Sequence, residues 1–441
     1  MNIKKCADRG KKVRIYSDLH IHSRFSRATS ERMNIEEIVH YSKIKGLDLV
    51  GTGDFTHPEW LKELKTSLIE ISATGLYRPI GSNTTSVSFI IMGEVCTVFE
   101  YEGDVKKIHH VIMVPDIDIA EQVIEALTRF GSLESDGRPL LKMTAAELVE
   151  EVLGVSRQNV VFPAHVWTPW FSLFGAFSGF DRLEDCYQDQ SSHIFALETG
   201  LSSDPKMNWR LSTLDRYTLI SNSDAHSPWP WRIGREANVF ELDKLTYSNI
   251  IDAIRMKDKD RFLFTIETNP AYGKYHWSGH RNCNVSMPPN EAIKLNSVCP
   301  VCKKKLTEGV EERIEKLADR PRGFKPEDAI GFRHLLPLQE IIVSFLGVQS
   351  LSTKKVWDIY NALILRFKTE FNILLKISYN DLCEIVNPAL ARMIIRVRND
   401  QVKVQPGYDG VYGKILRFEE ENKDEEKNSY KNEKIGLERF I

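Results

Sequence analysis

The sequence predicts an α/β chain of short apolar strands alternating with helices, followed by a small cysteine-bearing module and a helical segment. Three observations carry that expectation. Short apolar runs recur with helical stretches between them, the texture of buried parallel strands. Nearly every run ends in His, Asp or Glu, and in barrels of parallel strands that is the end where active sites form. Beyond Phe264 the texture changes to a Cys-x-x-Cys knuckle and then to helical periodicity.

At 441 residues the chain exceeds one ordinary core, and roughly three domains are expected. A net charge of -2 and a pI near 6.7 argue against a strongly basic nucleic-acid binder but leave room for a local basic groove. No apolar run is long enough to span a bilayer, and Met1-Asn2-Ile3-Lys4-Lys5 leads into no signal-peptide core, so a soluble, cytoplasmic protein without a membrane partner is expected. Seven cysteines, an odd number with three clustered late, fit thiols and a metal better than a disulfide framework.

Lys11 to Tyr16 reads as the opening strand, leading into Ser17-Asp18-Leu19-His20-Ile21-His22. Residues two apart in an extended segment face the same way, so Asp18, His20 and His22 project together. Two neutral imidazoles side by side make half a metal site, with Asp18 to orient one of them or ligate weakly; a surface histidine pair is the alternative. Ile35, Ile38, Val39 and Ile44 mark the apolar stripe of a helix ending at Gly46, with His40 off the stripe. Leu47 to Thr52 is the next strand, ending in Gly53-Asp54-Phe55-Thr56-His57. Val87 to Met92 stops at Gly93-Glu94, and Val105 to Val114 contains a strand carrying His109 and His110. Val160 to Phe162 leads to His165, Ile194 to Leu197 leads to Glu198, and Tyr217 to Ile220 leads to Asp224-Ala225-His226. Singly each histidine reads as structural; their recurrence at strand ends reads as a multinuclear metal centre.

These phrases resemble the PHP (polymerase and histidinol phosphatase) phosphoesterases. Thr52-Gly53-Asp54-Phe55-Thr56-His57-Pro58, Ser223 to Ser227 and Lys274-Tyr275-His276-x-x-Gly279-His280 narrow the resemblance to endonuclease Q, over about residues 13 to 416. The resemblance implies a distorted (βα) barrel over residues 1–270. It implies a DNA-repair endonuclease that hydrolyses the phosphodiester 5′ to deaminated bases (hypoxanthine, uracil, xanthine) and abasic sites by metal-activated hydroxide, leaving 3′-hydroxyl and 5′-phosphate ends. It further implies His20 and His22 as the first metal pair, Glu94 as a bridging carboxylate, His110 and His165 on the second metal, and Asp224 and His226 as the last pair. Asp54 and His57 complete the expected ligands, although Phe55 stands where many PHP enzymes have His, and Arg27 and Ala28 where many carry another. His110 is preferred to His109 because it abuts the apolar run. Asp224, Asp54 and Glu94 are the expected catalytic carboxylates. Mixed imidazole and carboxylate ligation suits two or three zinc or manganese ions and disfavours magnesium.

Over residues 271–322, His280, Cys283, Cys299 and Cys302 have the spacing of one structural zinc site, with His276 as a competing ligand and a redox Cys-x-x-Cys as the alternative. Cys6, Cys96, Cys186 and Cys383 read as ordinary thiols. Gly309 to Ala318 reads as a helix and Asp319 to Gly323 as a linker. Lys325 to about Asp400 shows helical periodicity, with Arg392, Arg396, Arg398 and Lys403 close to its end, and residues 323–417 read as a helical DNA-binding domain closed by a hairpin at Pro406 to Lys414. Residues 418–441 read as a charged, disordered tether. Within it Leu437 and Phe440 resemble peptides that dock on replicative sliding clamps; folding back onto the helical domain is the alternative. Trp167 to Phe171, and Trp229 with Trp231, suit either stacking on bases or core packing. The expected partner is lesion-bearing duplex or single-stranded DNA. A PHP phosphatase of a small phosphomonoester and a non-catalytic DNA-binding accessory are the other readings. No Gly-x-x-x-x-Gly-Lys phosphate loop is present, which argues against an ATP-driven motor.

Overall fold

Residues 12–82 and 87–416 are described by the structure, a computed structural model. Its first part contains β1 (Val13–Asp18), β2 (Leu49–Gly51), β3 (Leu68–Ile71), β4 (Leu76–Pro79), β5 (Ser88–Tyr101), β6 (Asp104–Val114), β7 (Leu140–Leu141), β8 (Val160–Pro163), β9 (Ala196–Glu198), β10 (Thr218–Ile220), β11 (Ala237–Leu242) and β12 (Phe262–Glu267). β1, β2 and β5 run parallel, β6 is antiparallel to β5 and to β8, and β9 and β10 form a parallel pair. Single hydrogen bonds close the ring. Val166 N–H donates to Glu198 O (2.9 Å), while Asp224 N–H donates to His20 O and His22 N–H to Ala225 O (both 3.0 Å). The result is a distorted barrel, with β11 and β12 added antiparallel beyond β1.

An all-parallel arrangement fails at β6 and β11. The strand expected to stop at Gly93-Glu94 continues to Tyr101 and turns back through Glu102 (φ 52°) and Gly103 (φ 84°). Two left-handed residues between strands make the two-residue hairpin turn whose twist matches the strands it joins, so β6 must be antiparallel. Glu94 and His109 therefore lie within strands.

Side chains alternate across the ring. Leu49, Ile90, Met92, Val111, Met113 and Phe162 fill one face. Val50, Phe89, Ile91, Ile112 and Val161 belong to the other, packed with helices that carry Ile38, Leu64 and Leu148. The helix Ile35–Lys45 is capped by Asn34, which accepts from Glu37 N–H, and ends at left-handed Gly46 (φ 95°). Thr144 and Glu147 form a reciprocal capping box at Ala145–Val155.

The cysteine module rests on a short ladder between Ser278–His280 and Val285–Met287, and its core is only Met287, Ala292, Cys299 and Leu306. Gly331–His334 then pairs in parallel with β12, so the segment expected to be helical from Lys325 begins by extending the barrel sheet. Helices follow at Leu338–Leu346, Lys354–Phe367, Glu370–Leu375, Tyr379–Cys383 and Pro388–Arg398. They dock on the barrel through Lys45, whose Nζ donates to Glu370 (2.7 Å) and to Pro230 O (2.8 Å), and through Tyr16 stacked on Phe371 at 5.1 Å. Arg398 is taken up internally, donating to the carbonyls of Ile373, Leu374 and Ile377. The hairpin Val404–Gln405/Lys414–Ile415 brings Asp409 back to the cysteine module, where it accepts from Arg281 N–H and Thr307 Oγ1–H. No described helix is long and apolar enough to cross a membrane. Cys6, Leu437, Phe440 and the rest of the 418–441 tail lie outside the described residues.

Candidate metal centre

Strand ends and one hairpin bring two ligand groups together, and Glu94 belongs to both. His20, His22, Glu94 and Asp224 present donor atoms within 4.8 Å of one another, as do Glu94, His109 and His165. Glu94 Oε2 lies 3.2 Å from His22 Nε2 and 3.8 Å from His20 Nε2, while Oε1 lies 2.9 Å from His109 Nδ1 and 3.0 Å from His165 Nε2. Asp224 Oδ1 is 2.9 Å from His22 Nε2. One carboxylate thus turns an oxygen to each group.

The surrounding residues aim the rings. His20 donates from Nδ1 to both oxygens of Glu198 (3.0 Å each), and His22 donates from Nδ1 to Asp54 Oδ1 (2.9 Å). Each Nε2 is left with its lone pair pointing into the cluster, the arrangement that metal-binding imidazoles need. His20 Nε2, His22 Nε2 and Asp224 Oδ1 are buried without a hydrogen-bond partner. Buried polar atoms are rarely left so, and a cation satisfies all three together. Burial alone would lower both imidazoles, but the carboxylates, Glu198 first for His20 and Asp54 first for His22, raise both well above the ordinary range. The pocket holds an excess of negative charge that a cation relieves. Burial takes His109 down to about 4, which keeps it a neutral ligand. Asp54 (φ 42°), His165 (φ 31°) and Asp224 (φ 48°) all have left-handed backbones, a cost that clusters at functional sites.

The second candidate site is the cysteine module. His280, Cys283, Cys299 and Cys302 converge, with Cys302 Sγ 3.5 Å from His280 Nδ1. Burial and the neighbouring thiols push Cys283 up to about 11. Backbone N–H groups of Cys302 and Val301 lower Cys299 instead, and the donor set is compatible with tetrahedral zinc. His276 is not in the group; its Nε2 faces Glu311 at 3.8 Å.

Known proteins match this architecture. The family model described as the MJ0043 C-terminal domain covers residues 337–401. The uncharacterized protein YqxK of Bacillus subtilis is 27% identical over 414 residues, 91% of this chain and 99% of its own. The uncharacterized protein MJ0043 of Methanocaldococcus jannaschii is 31% identical over 258 residues, which is 31% of its length. Among solved structures, the lesion-specific endonuclease PfuEndoQ from Pyrococcus furiosus superposes with a TM-score of 0.81 at 33% identity, covering 91% of this chain and 95% of that one. The chain belongs to the endonuclease Q family. A second endonuclease Q structure, a complex with a 27-mer duplex carrying an abasic lesion at the active site, also matches at 0.81 and 33%, covering 92% and 98%.

Within this endonuclease Q fold several expected site residues sit elsewhere. His110 faces away from the cluster, with Nδ1 2.7 Å from Tyr187 Oη and Nε2 2.9 Å from Thr97 Oγ1. The register explains it. Glu94 pairs with Val111 and Cys96 with His109, so His109 shares the face of Glu94 and its neighbour His110 takes the other. Asp54 is not in either group. Its Oδ2 accepts from Ser23 N–H and Oγ–H (2.6 Å each) and from Ser26 Oγ–H (3.0 Å), which leaves Oδ1 to orient His22. His57 stacks on Phe25 at 4.4 Å, and His226 borders the cluster with its ring 4.5 Å from His22; neither is in a ligand group. Asp18 orients no histidine: it accepts from Ser223 N–H (3.0 Å) and Gly234 N–H (2.8 Å), anchoring the loop that carries Asp224. Three residues outside the expected set line the site: His109, set aside in favour of His110, Glu198, and Arg138, whose Nη1 donates to Glu94 Oε2 at 3.2 Å. Glu198 carried a signal, since it ends an apolar run; Arg138 carried none.

Proposed function

We propose that this chain is a DNA-repair endonuclease that nicks the phosphodiester 5′ to deaminated bases and abasic sites, leaving 3′-hydroxyl and 5′-phosphate ends. The observation that carries the reading is Glu94, one carboxylate turned toward two imidazole-bearing groups. His20, His22, Asp224 and Glu94 would hold one ion, and Glu94, His109 and His165 another; their mixed donors suit zinc or manganese. Divalent ions there would acidify water and neutralise charge on a phosphodiester. The chain's own part is to fix the ligands: Glu198 and Asp54 set the tautomers of His20 and His22, and Asp18 holds the Asp224 loop.

Exposed aromatics beside the centre support a nucleic-acid substrate. Phe171 stacks on His109 at 5.1 Å, and Trp170 and Phe177, 40% and 49% exposed, stack on each other at 4.8 Å. They offer π-faces to unstacked bases. Trp167, by contrast, is buried and donates from Nε1 to Asn208 Oδ1 (2.7 Å), so that part of the aromatic run is core. The cysteine module would hold one structural zinc and, with the helical segment, contribute to gripping the duplex.

The test is a labelled duplex carrying one deoxyinosine, incubated with the protein and Mn²⁺ beside a generic phosphomonoester. A single nick 5′ to the lesion is expected. Hydrolysis of the monoester with the duplex untouched would replace this reading by a small-molecule phosphatase.

A further inference from the structure

We propose that Arg138 is a catalytic residue that clamps a non-bridging oxygen of the scissile phosphate, an inference that rests on the nuclease reading above. Its backbone is held firmly. Gly137 N–H donates to Phe25 O (3.0 Å), and a Cβ on Gly137 would lie 2.4 Å from Asp54 Oδ2 and 2.5 Å from Ser26 Oγ. Asp136 Oδ1 accepts from Arg138 N–H (3.1 Å) and Arg27 N–H (3.2 Å). The loop is thereby fastened to the residues that orient His22. The side chain reaches from there into the cluster, Nη1 on Glu94 Oε2, yet stays 23% exposed, so the guanidinium spans the site and its mouth. Among the described residues Glu94 is the one hydrogen-bond partner of its side chain, out of five donors.

Glu94 does not require this cation. Two divalent ions would already balance the four carboxylates of the pocket, Glu94, Asp224, Glu198 and Asp54, so Arg138 adds a net positive charge. A guanidinium held beside them is costly unless an anion joins. A phosphodiester is that anion, and the planar fork matches its oxygens better than a point charge does. Charge grows on the non-bridging oxygens as the nucleophile adds, so a donor fixed there favours the transition state over the bound substrate.

Single-turnover nicking of the deoxyinosine duplex by the wild type, Arg138→Ala and Arg138→Lys tests this, together with bound-metal content, duplex affinity, and both phosphorothioate diastereomers at the scissile position. Arg138→Ala should slow nicking about 10²–10³-fold, keep its metals and bind DNA much as before. Arg138→Lys should regain part of the rate. The wild type should be slowed by sulfur at one diastereomer, and Arg138→Ala should lose that discrimination. Near-normal rates, loss of metal, or unchanged discrimination in Arg138→Ala would each overturn the assignment. A wild type that leaves the duplex intact would overturn the nuclease reading instead, a result distinct from an Arg138 variant that nicks like the wild type.

Discussion

His109 and His110 are adjacent, both buried, and assigned opposite tasks by the register of β5 and β6. His109→Ala should lose bound metal and at least about 10²-fold in nicking, since first ligands matter no less than the residues that orient them. His110→Ala removes the partner of the Thr97 and Tyr187 hydroxyls and should cost about 1–3 kcal/mol of stability, read from denaturant unfolding, while the folded protein keeps its nicking activity. The reverse pattern would exchange the two roles. Glu198 is the sharpest test of orientation. It accepts from His20, from His165 N–H and from Asn222 Nδ2–H. Glu198→Gln puts an amide donor among these donors and should weaken metal binding roughly 10–100-fold, measured by metal titration and recovered at excess metal.

The turns after β2, β8 and β10 share one property: Asp54, His165 and Asp224 are left-handed, and each turn is tied to a neighbour across the ring. Their strain is stable only while those ties hold. The cysteine module has the opposite character, a segment with almost no core whose four soft ligands stand where packing would otherwise be. Cys299→Ser should release one zinc and lower the thermal midpoint of the C-terminal half, with metals at the barrel cluster retained. Zinc stoichiometry paired with calorimetry checks it, and unchanged zinc content would refute the assignment.

The barrel and the C-terminal segment meet at His334. Its ring lies 3.0 Å from Asp204 Oδ2 on the barrel side and 3.1 Å from Asp400 Oδ1 at the end of the last helix, with Lys206 Nζ 4.0 Å from Asp400. Burial would lower its pKa, but the two carboxylates raise it to about 9. A folded pKa above the unfolded value means stability that is fully present below about pH 6.5 and is lost as the pH rises through about 9. The contribution is of order 3 kcal/mol. The unfolding free energy should therefore fall between pH 6.5 and 9, and His334→Gln should flatten that slope; an unchanged slope would show that another group sets it.

The types of residue that carry the chemistry were legible in the sequence, because ligand chemistry belongs to the side chain and strand ends advertise it. His20, His22, Glu94, His165, Asp224 and the His280–Cys302 quartet were named from the sequence, and the structure brings them together in their groups. The helix Ile35–Lys45 and its Gly46 cap were equally legible, since periodicity and capping are local. What the chain alone could not fix was facing and distance. One position of register separates His109 from His110, and that register depends on a hairpin pairing β5 with β6. Asp54 looks like a ligand until Ser23 and Ser26 are seen to occupy its outer oxygen. Arg138 lies on an unremarkable loop, distant in sequence from the Asp54 shell that holds it, and only closure of the ring carries its charge to Glu94.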